Sequence, residues 1–170
     1  QAGIRWYELT RTGGEWGIGQ QSTYAPGIPV AQGVEVPNPI DHRWMGSVAM
    51  DRDGNIVLGY SVSSPGLNIF PSLRYAGRFA DDPAGTLPRG EFTLIAGTGS
   101  QTGCQTVGSI CIGRWGDYSS MNVDPVDDCT FWYTSEYYDT TSAFNWRTRI
   151  GNFKFPGCIF PVALQGFTVE

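Results

Sequence analysis

Two short runs hold the side chains best suited to chemistry. Asp41-His42-Arg43-Trp44 and Arg114-Trp115-Gly116-Asp117-Tyr118 each set an arginine beside a tryptophan, with an aspartate close by. Those residue types suit sugars. Trp and Tyr faces stack on the apolar face of a pyranose, while Arg and Asp bond hydroxyls or a carboxylate. Glycoside hydrolysis asks for more, a pair of carboxylates about 5–9.5 Å apart. Asp41, Asp117 and Glu136 are the acids available for such a pair. The competing role is architectural, because residues that recur along a chain often hold neighbouring units together.

Other candidate groups carry less. Asp51-Arg52-Asp53-Gly54-Asn55 places oxygens at alternate positions around a glycine, as a calcium loop does, so Asp51, Asp53 and Asn55 are its calcium candidates. The trailing bidentate Glu is missing, and Asp-Gly also makes a plain hairpin turn. Asp124, Asp127 and Asp128 form a second acidic turn. His42 is the only histidine and has no motif around it, so it reads as a loop residue rather than a base. The four cysteines lack C-x-x-C spacing and histidine partners, which favours disulfides over zinc. Cys104 and Cys111 flank a turn-like loop, Cys129 opens a strand and Cys158 closes the next. The expected pairs are Cys104–Cys111 and Cys129–Cys158. Disulfides imply an oxidising compartment, extracellular or periplasmic, and hence secretion. The chain begins at Gln1 rather than Met, which fits a processed start.

The elements that position these residues are strands. Gly numbers 23, Pro 11 and aromatics 14%, against only 16% charged residues, and this mixture favours short strands and tight turns over helices. The net charge of −5, with Lys154 the one lysine, argues against nucleic acid, whose phosphates need clustered cations. No apolar run approaches the ~20 residues of a membrane-spanning helix. No cofactor is implied beyond calcium.

A repeat organises the strands. Arg43-Trp44-Met45-Gly46-Ser47 recurs as Arg114-Trp115-Gly116-Asp117-Tyr118-Ser119, 71 residues on. Glu15-Trp16 recurs as Glu91-Phe92, and Arg5-Trp6-Tyr7 as Arg74-Tyr75. One unit reads as four strands: Ser47–Met50, Ile56–Val62, Leu73–Phe79 and Glu91–Ala96. The next offers Met121–Val123, Thr130–Thr134 and Trp146–Phe153. The start of the chain supplies Ile4–Leu9 and Glu15–Ser22, the last two strands of an earlier unit. Four short antiparallel strands per repeat make a propeller blade. The expected fold is therefore all-β, with about two and a half propeller-like blades over 1–158, divided as 1–36, 37–103 and 104–158. Residues 159–170 are either a closing strand or a tail. A closed ring takes ~4–8 blades, so either more chain or other copies complete the ring, or the blades form an open sheet stack.

The runs Arg114-Trp115-Gly116-Asp117-Tyr118-Ser119, Val123-Asp124-Pro125, Thr130-Phe131-Trp132 and Trp146-Arg147-Thr148-Arg149-Ile150-Gly151-Asn152-Phe153 resemble secreted bacterial propeller proteins of the sialidase or BNR-like type. The resemblance covers roughly 37–158. The Asp-box of that family, Ser-x-Asp-x-Gly-x-Thr-Trp, is matched in part by Asp124 to Trp132, which lacks the Gly, and by Asp51–Asn55, which lacks Thr-Trp. The box is a fold-stabilising turn, so the resemblance speaks to architecture first. It also implies a cast for sialidase chemistry: Arg43 and Arg114 for a carboxylate, Tyr118 as nucleophile helped by Glu136, and Asp117 as acid.

Three functions follow as expectations. The first is a secreted module binding a glycan or another protein through Asp41, His42, Arg43 and Trp44 together with Arg114, Trp115, Asp117 and Tyr118. The second is part of a sialidase-like glycoside hydrolase using Asp117, Tyr118 and Glu136. The third is a structural unit that self-associates through exposed strand edges.

Overall fold

Ile56-Val57-Leu58-Gly59-Tyr60-Ser61-Val62 carries no charge and almost no polar alternation, the pattern of a strand covered on both faces. The computed structural model, which describes residues 1–26, 28–29, 35–36 and 41–158, buries every one of these seven residues. The expected strand or tail at 159–170 lies outside the described residues. The described chain is all-β, with one short 3-10 turn among the described residues at Pro65–Leu67. In order, the strands are β1 (Ile4–Thr12), β2 (Glu15–Tyr24), β3 (Ile28–Pro29), β4 (Glu35–Val36), β5 (His42–Met50), β6 (Ile56–Ser64), β7 (Ile69–Arg78), β8 (Glu91–Gly97), β9 (Gln105–Val107), β10 (Ile110–Ile112), β11 (Ser120–Val123), β12 (Phe131–Tyr137) and β13 (Arg147–Phe153).

All the sheets are antiparallel. The central sheet is the four-stranded meander β5-β6-β7-β8, and β11-β12-β13 form a second meander. The pairs β1-β2, β3-β4 and β9-β10 are hairpins. Turn chemistry sets the β5–β6 connection. Gly54 has φ 82°, which a residue with a Cβ adopts at a cost. Asp51 Oδ1 accepts from the Asp53 and Asn55 amides at 3.0 and 2.8 Å, and its Oδ2 accepts from Asn55 Nδ2 at 2.9 Å.

The two cores lie on opposite faces of the central sheet. Ile56, Leu58, Tyr60 and Val62 pack with Ile4 and Trp6 of β1. Val57 and Leu73 pack with Met121, Phe131 and Tyr133 of the second meander. Gly59 lets that meander approach, since a Cβ there would stand 2.6 Å from the Tyr133 ring. An aromatic ladder fastens the far end, with Tyr75 and Phe153 stacked at 3.8 Å and Phe79 and Phe155 at 4.8 Å. The two acidic turns also touch, because the Arg52 amide donates to the Asp128 carbonyl at 2.9 Å.

The strands run longer than the sequence indicates at several ends. β5 starts at His42 rather than Ser47 because a bulge at Met45-Gly46, with Met45 at φ 50°, lets pairing continue past the irregularity. β1 lies beside β5 on one side as β11 does on the other. The sequence instead equates β1 with β7. No described helix is long and apolar enough to cross a membrane.

Candidate functional site

Strand alternation decides where the expected site residues go. Arg43 and Trp44 are neighbours on β5, so they face opposite sides of the central sheet. Arg43 points toward β1 and β2, with its guanidinium 5.9 Å from the Tyr24 ring centre. Trp44 points toward the second meander, edge-on to Trp115 at 5.9 Å. The eight expected ligand-binding residues therefore do not share one cleft. Asp41 and Arg43 line one cleft and Arg114, Trp115 and Asp117 another, His42, Trp44 and Tyr118 line neither, and the Trp44–Trp115 contact joins the two runs.

The first cleft, of about 620 Å³, is lined by Trp6, Tyr24, Asp41, Arg43, Thr86 and Glu91 among others. Its floor is a charge network running across all four central strands. Arg43 Nε and Nη2 donate to Glu91 Oε1 and Oε2 at 2.9 and 3.1 Å. Arg74 Nη1 reaches Glu91 Oε2 at 3.0 Å, and the Tyr60 hydroxyl donates to Oε1 at 2.5 Å. Asp41 Oδ2 stands 3.9 Å from Arg43. Burial pushes the Glu91 carboxyl up, but the hydrogen bonds from Arg43 and Tyr60 and the charges of Arg43 and Arg74 outweigh it and hold the group below its ordinary value. Arg43 is only 3% exposed. Two cations and two carboxylates meet here, and among the described residues Asp41 Oδ1, Arg43 Nη1 and Arg74 Nε are buried without a hydrogen-bond partner. His42, on the same strand, is exposed.

The second cleft, of about 500 Å³, opens beside the other core. It is lined by Gln101, Gln105, Ile112, Arg114, Trp115, Gly116, Asp117, Glu136, Phe144 and Trp146. Besides Gln101 in the loop after β8, four segments build it. The β9–β10 hairpin, closed by the Cys104–Cys111 disulfide, brings Gln105 and Ile112. The loop before β11 brings Arg114 to Asp117, anchored by Trp115. The Trp115 indole N–H donates to Ser61 Oγ at 3.2 Å, and its ring lies 5.3 Å from Tyr138. β12 brings Glu136, and the loop into β13 brings Phe144 and Trp146, both more than half exposed. Arg114 and Asp117 form an ion pair, with Nε at 3.1 Å from Oδ2. Burial raises the Glu136 carboxyl above its ordinary value; the Gly116 amide opposes this and the Asp117 charge adds to it. Tyr118 is 91% exposed and lines neither cleft.

Of the three catalytic candidates, the structure thus brings Asp117 and Glu136 into one cleft and leaves Tyr118 outside. The calcium candidates are differently engaged. Both Asp51 oxygens bond within its own turn, and Asn55 Oδ1 accepts from the Ala80 amide at 3.0 Å. Asp53 lies near Cys129 and Cys158, whose sulfurs are joined to each other as the expected disulfide and are not free thiolates. In the second acidic turn, Asp127 accepts from the Thr130 hydroxyl and amide and from the Cys129 amide, which lowers its pKa to about 2.

The residues that the sequence left unmarked are informative. Gln101, Gln105, Ile112 and Phe144 sit in loops or a short hairpin with no local motif, and only the fold gathers them. Glu91, Arg74 and Tyr60 carried a weak signal, a polar group on a strand otherwise facing a core. The chain matches no protein-family model, no curated protein and no solved structure.

Proposed function

We propose that this chain is a secreted carbohydrate-binding module of propeller-like blades, and that the aromatic cleft between the β9–β10 hairpin and β12 is its ligand site. One observation carries the reading: Trp115, Phe144 and Trp146 line a single open cleft together with Gln101, Gln105, Arg114, Asp117 and Glu136. Flat aromatic faces match the apolar faces of pyranose rings, and amide, guanidinium and carboxylate groups match their hydroxyls. Two disulfides fit an oxidising, extracellular or periplasmic setting. The stacked meanders support the blade reading, and the resemblance to sialidase-type repeat proteins agrees with it. The first cleft serves less well as the main site, since the Glu91 carboxylate on its floor is already held by Arg43, Arg74 and Tyr60.

Glycan-array binding followed by calorimetry tests the proposal. Wild type should hold at least one glycan class, and Trp146→Ala should weaken it by about 1–3 kcal/mol, the worth of one lost aromatic face. Trp146 is 51% exposed, so its loss should leave the melting temperature nearly unchanged. Equal affinity in Trp146→Ala, or silence across the array, would remove this cleft as the site.

A further inference from the structure

The charge of the aromatic cleft narrows its ligand. Arg114 and Asp117 cancel each other as an ion pair. Glu136 then remains, a half-buried carboxylate with no ion-pair partner among the described residues. A carboxylate partly withdrawn from water and left unpaired is costly, and a ligand cation would relieve that cost. The aromatic walls point the same way, because ring faces attract cations and exert no such pull on anions. An acidic sugar would meet the opposite: its carboxylate would find Arg114 already taken and Glu136 repelling it. The chain's net charge of −5 adds to that repulsion at long range.

We propose that the aromatic cleft selects amino sugars, with the ligand ammonium paired to Glu136 and the pyranose ring stacked on the Trp115, Phe144 and Trp146 walls. This rests on the carbohydrate reading above and goes against the acidic ligand that Arg114 alone would suggest. The charged and titratable groups around Glu136 are few. Asp117 and Arg114 come from the loop before β11, and Tyr138 lies just beyond β12. Arg147 and Arg149 come from β13, where Arg147 is held by Asp139 at 3.0 Å. Only ionised Glu136 can hold the ammonium. Burial raises its pKa, so binding should fade as pH drops through that raised value, sooner than for an ordinary surface carboxylate.

Calorimetry with three probes tests this: a β-1,4-linked glucosamine tetramer, its fully N-acetylated counterpart and a galacturonate tetramer. The glucosamine tetramer should bind at least about tenfold more tightly than either of the others at about pH 6, where its amines are charged. Glu136→Gln should remove that preference and leave the N-acetylated tetramer's weaker binding in place. A wild-type titration from about pH 6 to pH 4 gives an independent reading that needs no variant; affinity for the glucosamine tetramer should fall and that for the N-acetylated one should not. If the N-acetylated or galacturonate tetramer binds as tightly as glucosamine, or if the preference survives both Glu136→Gln and acidification, the amino-sugar assignment is overturned while the carbohydrate reading stands. If no probe binds and the glycan array is also silent, both fall together.

Discussion

Glu91 shows how one side chain can hold a sheet together through charge. It takes hydrogen bonds from Arg43 on β5, Tyr60 on β6 and Arg74 on β7, so all four central strands meet at its two oxygens. Arg43 is 3% exposed and depends on this partner. Removing one member of a buried ion pair leaves the other charged and desolvated, which costs more than the pair contributes. Glu91→Ala should therefore destabilise the fold by about 3 kcal/mol in urea unfolding, the lower end for broken buried pairs because Glu91 retains some exposure. The pH dependence has a definite sign. The folded-state carboxyl is held below its ordinary value, so its contribution is present above the unfolded carboxylate range and is lost as pH falls through the folded value. Glu91→Gln should abolish that acid-side component. A variant as stable as wild type at neutral pH would show that the network does not brace the sheet. The sequence exposed the members of this network but not their meeting. Arg43, Arg74 and Glu91 each stood in a recurring segment, whereas Tyr60 had no motif around it. Only the β5–β8 register places them side by side.

At the scale of elements, the β9–β10 hairpin has one clear task. It contributes Gln105 and Ile112 to the aromatic cleft, and each adjoins a cysteine of the Cys104–Cys111 disulfide. The hairpin has three residues per strand, all six exposed, and a two-stranded ribbon of that size is marginal in water. Its shape rests on the covalent link. Cys129–Cys158, by contrast, joins buried cysteines at the start of β12 and after β13, beside the second core. Replacing both Cys104 and Cys111 by serine should lower stability by about 2–3 kcal/mol on the loop-closure account and weaken ligand binding at least about tenfold. A matched loss of stability with unchanged affinity would mean that the hairpin does not shape the site. The cysteine pairing was readable because turn residues separate Cys104 from Cys111. The cleft wall was not, because nothing local to Gln105 or Ile112 says which surface the hairpin leans on. The β5 boundary failed for a related reason. Met45 holds a backbone angle that no residue type announces, and the bulge there hides three paired residues upstream.

The whole molecule is a stack of sheets that, among the described residues, does not close on itself. The central meander has a partner on each face; the outer sheets have one each. The short strands and tight turns of the sequence made the several antiparallel sheets legible. The repeat spacing did not place the first pair, since it equates β1 with β7 whereas β1 lies beside β5. Trp6 of the first strand pair, an outer sheet, is 3% exposed because β1 lies against β6. Other large side chains remain in water: Trp16 and Ile18 on β2 at 68% and 54%, Trp132 on β12 at 40%, and Ile150 on β13 at 63%. The two groups sit at opposite ends of the stack. Soluble monomers rarely leave that much aromatic and aliphatic surface open, and an additional sheet on either end would cover it. A stack with two sticky ends that differ from each other is suited to head-to-tail contact, the geometry that closes rings or grows filaments. The isolated chain should therefore self-associate. Light scattering over a dilution series should give a mass of at least twice the single chain, falling toward one chain only at the lowest concentrations. Ile150→Asp should shift that curve to higher concentration by about tenfold or more, since it puts a charge at the centre of one contact, while Ile150 faces solvent in the single chain and its loss should cost little stability. A mass of one chain at every concentration, for wild type and variant alike, would mean that the open ends are tolerated and that no further blade is needed to cover them.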